Sequence, residues 1–174
     1  MTRLDATATQ QETLFAVAPP KIRVEFTLIS MNRAGEIVPP RTKKNSPQIV
    51  PHMKYAILVP SEAYREWARG CKAALRQVIT NSSIHRTDKP LDETPIFPIS
   101  RLINCRAIFY RDRNVGDAVG YYQALGDVLQ ENVARKGELD LRVLADDRFI
   151  VSWDGSRLDK DPARPRVEVI LEEV

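Results

Sequence analysis

Cysteine is scarce in this chain. Its 174 residues hold two, Cys71 and Cys105, which make neither a disulfide framework nor a zinc-type spacing. Histidine is as rare: His52 and His85 stand isolated in expected loops and suggest no ligand pair. No apolar run approaches the roughly 20 residues that span a bilayer. The first twenty residues include Asp5 and Glu12 and lack an apolar core, so they do not read as a secretory signal. These absences argue against a membrane protein, a disulfide-stapled secreted domain and a zinc finger. They point to the reducing cytoplasm, and the length suits one domain.

Charge is unevenly spread. Residues 21–76 carry eleven basic and four acidic side chains, whereas residues 117–154 carry four basic and eight acidic. A basic half favours a polyanionic partner. An acidic segment beside it would repel that partner unless a cation lies between them.

Residues 1–20 are polar, close on Pro19-Pro20 and read as a disordered tail. Residues 21–174 read as one domain. Residues 22–28 alternate apolar and polar and predict a half-buried strand. A Pro-rich basic loop from Asn32 to Pro51 follows, then a short strand at 55–59. Ser61 predicts an N-cap for a helix with Tyr64, Trp67, Ala68, Cys71, Leu75 and Val78 on its apolar face. Residues 80–98, with three prolines, read as a surface loop. Further strands are expected at 101–110, 149–153 and 166–171, with an Asp-Gly turn at Asp154-Gly155 and a charged loop at 156–164. A second helix is expected from Asp117 to about Asn132, its buried stripe Val119, Tyr122, Leu125, Val128 and Leu129. Tyr122 is expected inward and Tyr121 toward a candidate metal loop or solvent; Trp67, Trp153 and Cys71 are expected in the core. The order is β-β-α-β-α-β-β. It predicts an α+β domain, two main helices packed on a mixed sheet.

Asp117 opens the second helix, and Asp146-Asp147 precede the next strand. Clustered carboxylates suit hard cations such as Mg²⁺ or Mn²⁺. Asp117 serves equally as a helix cap, and Asp146-Asp147 equally as turn residues. Both readings stand on sequence alone.

The run Asp117-Ala-Val-Gly-Tyr-Tyr-Gln-Ala-Leu-Gly-Asp127-Val-Leu129, followed by Asp146-Asp147-Arg148-Phe149-Ile150, resembles the RusA-type crossover-junction endodeoxyribonucleases of phages and prophages. Their signature is Asp-x-Asp-Asn-x-x-Lys entering a helix that ends Asp-x-Leu, then an Asp-Asp-x-x-Ile/Val strand. Pro39-Pro40, Lys44-Asn45-Ser46, Ser61 with Tyr64-Arg65, and Arg164-Pro-Arg-Val-Glu-Val-Ile170 resemble its flanking motifs in the same order. The resemblance spans roughly residues 22–172. It implies Mg²⁺- or Mn²⁺-dependent cutting of branched DNA by a homodimer in the cytoplasm of a bacterium or phage-infected host. It also implies Asp117, Asp146 and Asp147 as catalytic metal ligands. Three signature positions depart: the second aspartate is Val119, the asparagine Gly120 and the lysine Gln123. Asp112 and Asp154 are candidates for the missing oxygen. The departures open an alternative, a branched-DNA-binding protein of the same fold that has lost its cutting.

Arg41, Lys43, Lys44, Asn45, Arg65, Arg111 and Arg113 lie on loops or a helix start and are the expected DNA contacts. In the tail, Gln11-Glu-Thr-Leu14-Phe15 resembles the Gln-x-x-Leu-Phe peptides that bind the bacterial DNA polymerase sliding clamp. Gln11, Leu14 and Phe15 are the residues that would make that contact.

Overall fold

A computed structural model of the chain describes residues 22–42, 48–52, 55–84, 97–114, 116–132, 134 and 141–174. The tail with Gln11, Leu14 and Phe15, the loop residues Lys43, Lys44 and Asn45, and His85 lie outside the described residues.

Strand β1 (Arg23–Leu28) alternates as its sequence demands, with Val24, Phe26 and Leu28 inward. It pairs antiparallel with β7 (Arg166–Glu173), from Arg23 opposite Glu172 to Leu28 opposite Val167. β7 in turn pairs antiparallel with β4 (Ile103–Arg111). The other edge of β4 receives two short parallel strands, β5 (Ile150–Ser152) at its start and β6 (Arg157–Lys160) at its end. Between them the Asp154-Gly155 turn appears as expected, with Gly155 at φ +79°. The Ser156 hydroxyl spans the gap in the ladder: it accepts from the Ala107 amide at 2.8 Å and donates to the Cys105 carbonyl at 3.0 Å. A mixed five-stranded sheet results, joined by helices α1 (Glu62–Ile84) and α2 (Ala118–Gln130). This is the expected α+β architecture.

The core fills the space between sheet and helices. Ile103, Cys105, Ala107 and Phe109 of β4 meet Trp67, Cys71 and Leu75 of α1 and Tyr121, Leu125 and Val128 of α2, all buried. Ser61 caps α1, accepting from the Tyr64 amide at 3.2 Å. Burial pushes both thiols well above the usual cysteine range, so neither ionises near neutral pH. No helix among the described residues is long and apolar enough to cross a membrane.

Local features differ from the sequence expectation. β2 (Gln48–His52) pairs with β3 (Tyr55–Val59) in a separate two-stranded ribbon, where a loop is expected. Pro51 obscures this strand, yet both strands of a ribbon are edges, where a missing N–H is tolerated. α1 runs on to Ile84 because no proline or glycine interrupts residues 71–84. β6 lies inside the expected charged loop; edge strands carry charge outward, which hides their period. The phase of α2 also differs. Tyr121 is fully buried against Phe109, with ring centroids 5.3 Å apart, while Val119 is 57% exposed. Tyr122 is half-buried, packed against the core with its ring centroid 6.0 Å from that of Phe109, and its ring stacks on Trp153.

Candidate functional site

Three elements form the site: the start of α2, its middle, and the turn carrying Asp146-Asp147. Asp117 takes an extended conformation (φ −90°, ψ 159°), and its Oδ1 accepts the Gly120 amide hydrogen at 2.6 Å. It is the N-cap that its residue type favours. Thr42 closes over this turn. A Cβ on Gly120 would lie 3.2 Å from both Thr42 and Asp117 Oδ1. An asparagine, as in the signature, would crowd both.

Beside this turn, Asp112 accepts two hydrogen bonds from the Arg41 guanidinium, at 2.9 and 3.1 Å. These bonds hold the Asp112 carboxyl below the usual range and raise Arg41 against the cost of its burial. Arg41 therefore spends its fork on Asp112, and Asp112 is committed to Arg41. Arg111 is the last residue of β4, not part of an exposed turn. It is buried, donates to the Asp159 carbonyl and the Asn114 side chain, and lies 5.8 Å from the Tyr121 ring centroid. Burial raises the Tyr121 hydroxyl, opposed by Arg111 and Arg41. Arg113 is exposed at the same corner, its Nε 3.7 Å from Asp112.

Asp146 and Asp147 are held from behind. The amides of Val143 and Leu144 both donate to the Leu129 carbonyl at the end of α2, at 3.1 and 3.0 Å. Buried Leu144 also bridges Ile99. The chain then turns outward through a short 3-10 turn, Asp147–Phe149. Asp146 caps that turn by accepting from the Arg148 amide at 3.0 Å. The Asp147 amide donates to Gln130 Oε1 at 3.1 Å, and its Cβ lies over Gly126.

Gly126 is nine residues beyond Asp117, which places the two about 13 Å apart along the α2 axis at about 1.5 Å per residue. Asp117 thus caps the start of α2, and Asp147 lies against its middle. Among the described residues no three His, Cys, Asp or Glu side chains form a group able to hold a metal ion. Asp154 sits in its turn, its amide bound to Asn104 Oδ1 and Ser152 Oγ.

Asp147 instead faces a cavity of about 270 Å³ along one side of α2. Val119, Tyr122, Gln123 and Gly126 line it from the helix, and Ile150 and Trp153 from the strand side. The spacing i, i+3, i+4, i+7 puts these four on one face, of which only Val119 and Tyr122 are expected, as members of the buried stripe. The signature's second aspartate and its lysine would occupy this wall; here they are Val119 and Gln123. One carboxylate and one amide among apolar groups do not make a protein-held Mg²⁺ site, which calls for several oxygen ligands.

The basic residues are more dispersed. Arg65 and Arg69 are exposed on α1. With Lys72 they line a groove of about 480 Å³ facing Asp127, Gln130 and Glu131 of α2, and Lys72 is ion-paired to Glu131. Compared with known proteins, the chain matches no family model, and no curated protein matches it.

Proposed function

We propose that this chain binds branched DNA on a scaffold similar to that of the RusA-type junction nucleases, and holds the DNA without efficient cutting. One observation carries this reading. The two elements paired by the resemblance, helix α2 and the Asp146-Asp147 turn, pack directly together through Asp147 over Gly126. At their junction, apolar Val119 and neutral Gln123 line the same cavity. Arg65 and Arg69 in the α1–α2 groove and Arg113 beside Asp112 supply exposed positive charge elsewhere on the surface, suited to phosphate. A two-fold dimer would present two such faces to a symmetric junction. Such a protein would work in the cytoplasm of a bacterium or infected host, and the Gln11-Leu14-Phe15 motif would tether it to the sliding clamp.

The second reading is metal-dependent cutting with Asp117, Asp146 and Asp147 as Mg²⁺ or Mn²⁺ ligands. The adjacency of Asp146 and Asp147 on one exposed turn favours it, since Mg²⁺ often relies on one or two carboxylates plus substrate phosphate. Incubating labelled four-way junctions and linear duplexes with the protein, with and without each metal, separates the readings. Selective retention of the junction without product supports holding. Nicks that appear with Mg²⁺ and vanish in Asp147→Asn establish cutting. Failure to bind any DNA overturns both.

A further inference from the structure

We propose that the cavity between α2 and Trp153 takes an unpaired nucleobase bearing an exocyclic amine. This inference rests on the branched-DNA reading and adds to it what the DNA must present. The Tyr122 and Trp153 rings lie parallel within 8°, with centroids 4.8 Å apart. They form a half-buried aromatic stack that borders the cavity. At about 270 Å³ the space falls below the roughly 300–1,000 Å³ of sites for drug-sized ligands. It suits a single flat heterocycle rather than a nucleotide cofactor.

The polar groups narrow the choice. Gln123 and Asp147 are exposed, and among the described residues neither the Gln123 amide nor the Asp147 carboxylate makes a hydrogen bond or ion pair. A carboxylate only accepts, whereas an amide both donates and accepts. Asp147 repels a phosphate and welcomes an amine, so the occupant is a base edge, not the backbone. Adenine, cytosine and guanine carry such an amine and thymine does not. Extruded bases are read in this manner, by stacking on aromatic side chains and hydrogen bonds to the base edge. Flaps and forks carry unpaired bases, whereas a fully paired four-way junction supplies one only when a pair opens at its centre. The other cavities carry this less far: the α1–α2 groove and the open face of the sheet are both lined by charges of either sign.

The test uses the full chain and its own fluorescence. Trp67 is buried and Trp153 half-exposed, so a Trp153→Phe variant assigns the signal. The protein is titrated with short single strands of deoxycytidine or of thymidine, both pyrimidines of similar stacking power, and with a fully paired four-way junction. The expected result is that deoxycytidine strands quench Trp153 and bind about tenfold more tightly than thymidine strands. In Asp147→Asn the ratio should fall close to one. DNA binding without Trp153 quenching, or an unchanged ratio in Asp147→Asn, overturns the pocket and leaves the DNA reading intact. Loss of all binding, the junction included, overturns both.

Discussion

The Asp117 carboxylate satisfies the Gly120 amide at 2.6 Å, and this contact alone explains an aspartate at the start of α2. Substitution separates capping from metal binding. Asp117→Ala should cost about 1 kcal/mol, while Asp117→Asn should cost little because asparagine caps as well. Denaturant midpoints check both; an equal loss for Asn and Ala would mean that capping is not the dominant role. A second residue-scale prediction concerns Asp112. Its carboxyl is held low by hydrogen bonds from Arg41 and is mostly shielded, with 28% of the side chain exposed. A lowered carboxylate adds stability above its unfolded value, about 3.9, which is lost as pH falls through the lower folded value. Asp112→Asn should therefore destabilise by about 1 kcal/mol at neutral pH. The difference from wild type should shrink below about pH 4. Melting temperatures across that range test it. Residue identity made both aspartates visible in the sequence. It did not show that Asp112 would be taken by Arg41, 71 positions away.

Helix α1 lies so close to the chain after β1 that only glycine fits at position 70. A Cβ there would lie 2.7 Å from the Met31 amide nitrogen and 2.8 Å from its carbonyl oxygen, and would strike the Ser30 hydroxyl. That hydroxyl already donates to the Trp67 carbonyl at 2.9 Å. Alanine gains about 1 kcal/mol in helix propensity over glycine. Overpacking costs about 1–3 kcal/mol, and clashing backbone atoms push it toward the upper end. Gly70→Ala should destabilise by about 2 kcal/mol net, read from urea unfolding; a stabilised variant would mean that α1 sits farther from β1. At this scale the strands that bury one face, β1, β4 and β7, were legible because apolar residues alternate. The edge strand β6 was not: its residues Arg157-Leu-Asp-Lys160 form a strand because β4 offers an unpaired ladder.

Across the whole molecule, positive charge gathers in the first half of the chain, and its exposed part on α1 borders α2. Replacing Arg65 and Arg69 by glutamine should weaken binding to all DNA shapes alike. It should flatten the log–log salt dependence by about 0.9 for each lost duplex phosphate contact. Anisotropy titrations at several salt concentrations measure the slope, and an unchanged slope would place the DNA elsewhere. Sequence by itself determined the fold class, the Ser61 cap, the Asp154-Gly155 turn and the inward residues of β1. Each depends on neighbours within a few positions. Tertiary structure decided the rest. α2 carries tyrosine at both 121 and 122 and apolar residues around most of its circumference, so periodicity leaves its phase open. Both tyrosines pack on Phe109, but Tyr121 is fully buried there while Tyr122 is half-buried and stacks on Trp153. The resemblance brings Asp117 and Asp147 into one motif, but the Gly126 that Asp147 covers lies nine residues along α2 from Asp117, and a helix converts nine residues into distance and not into contact.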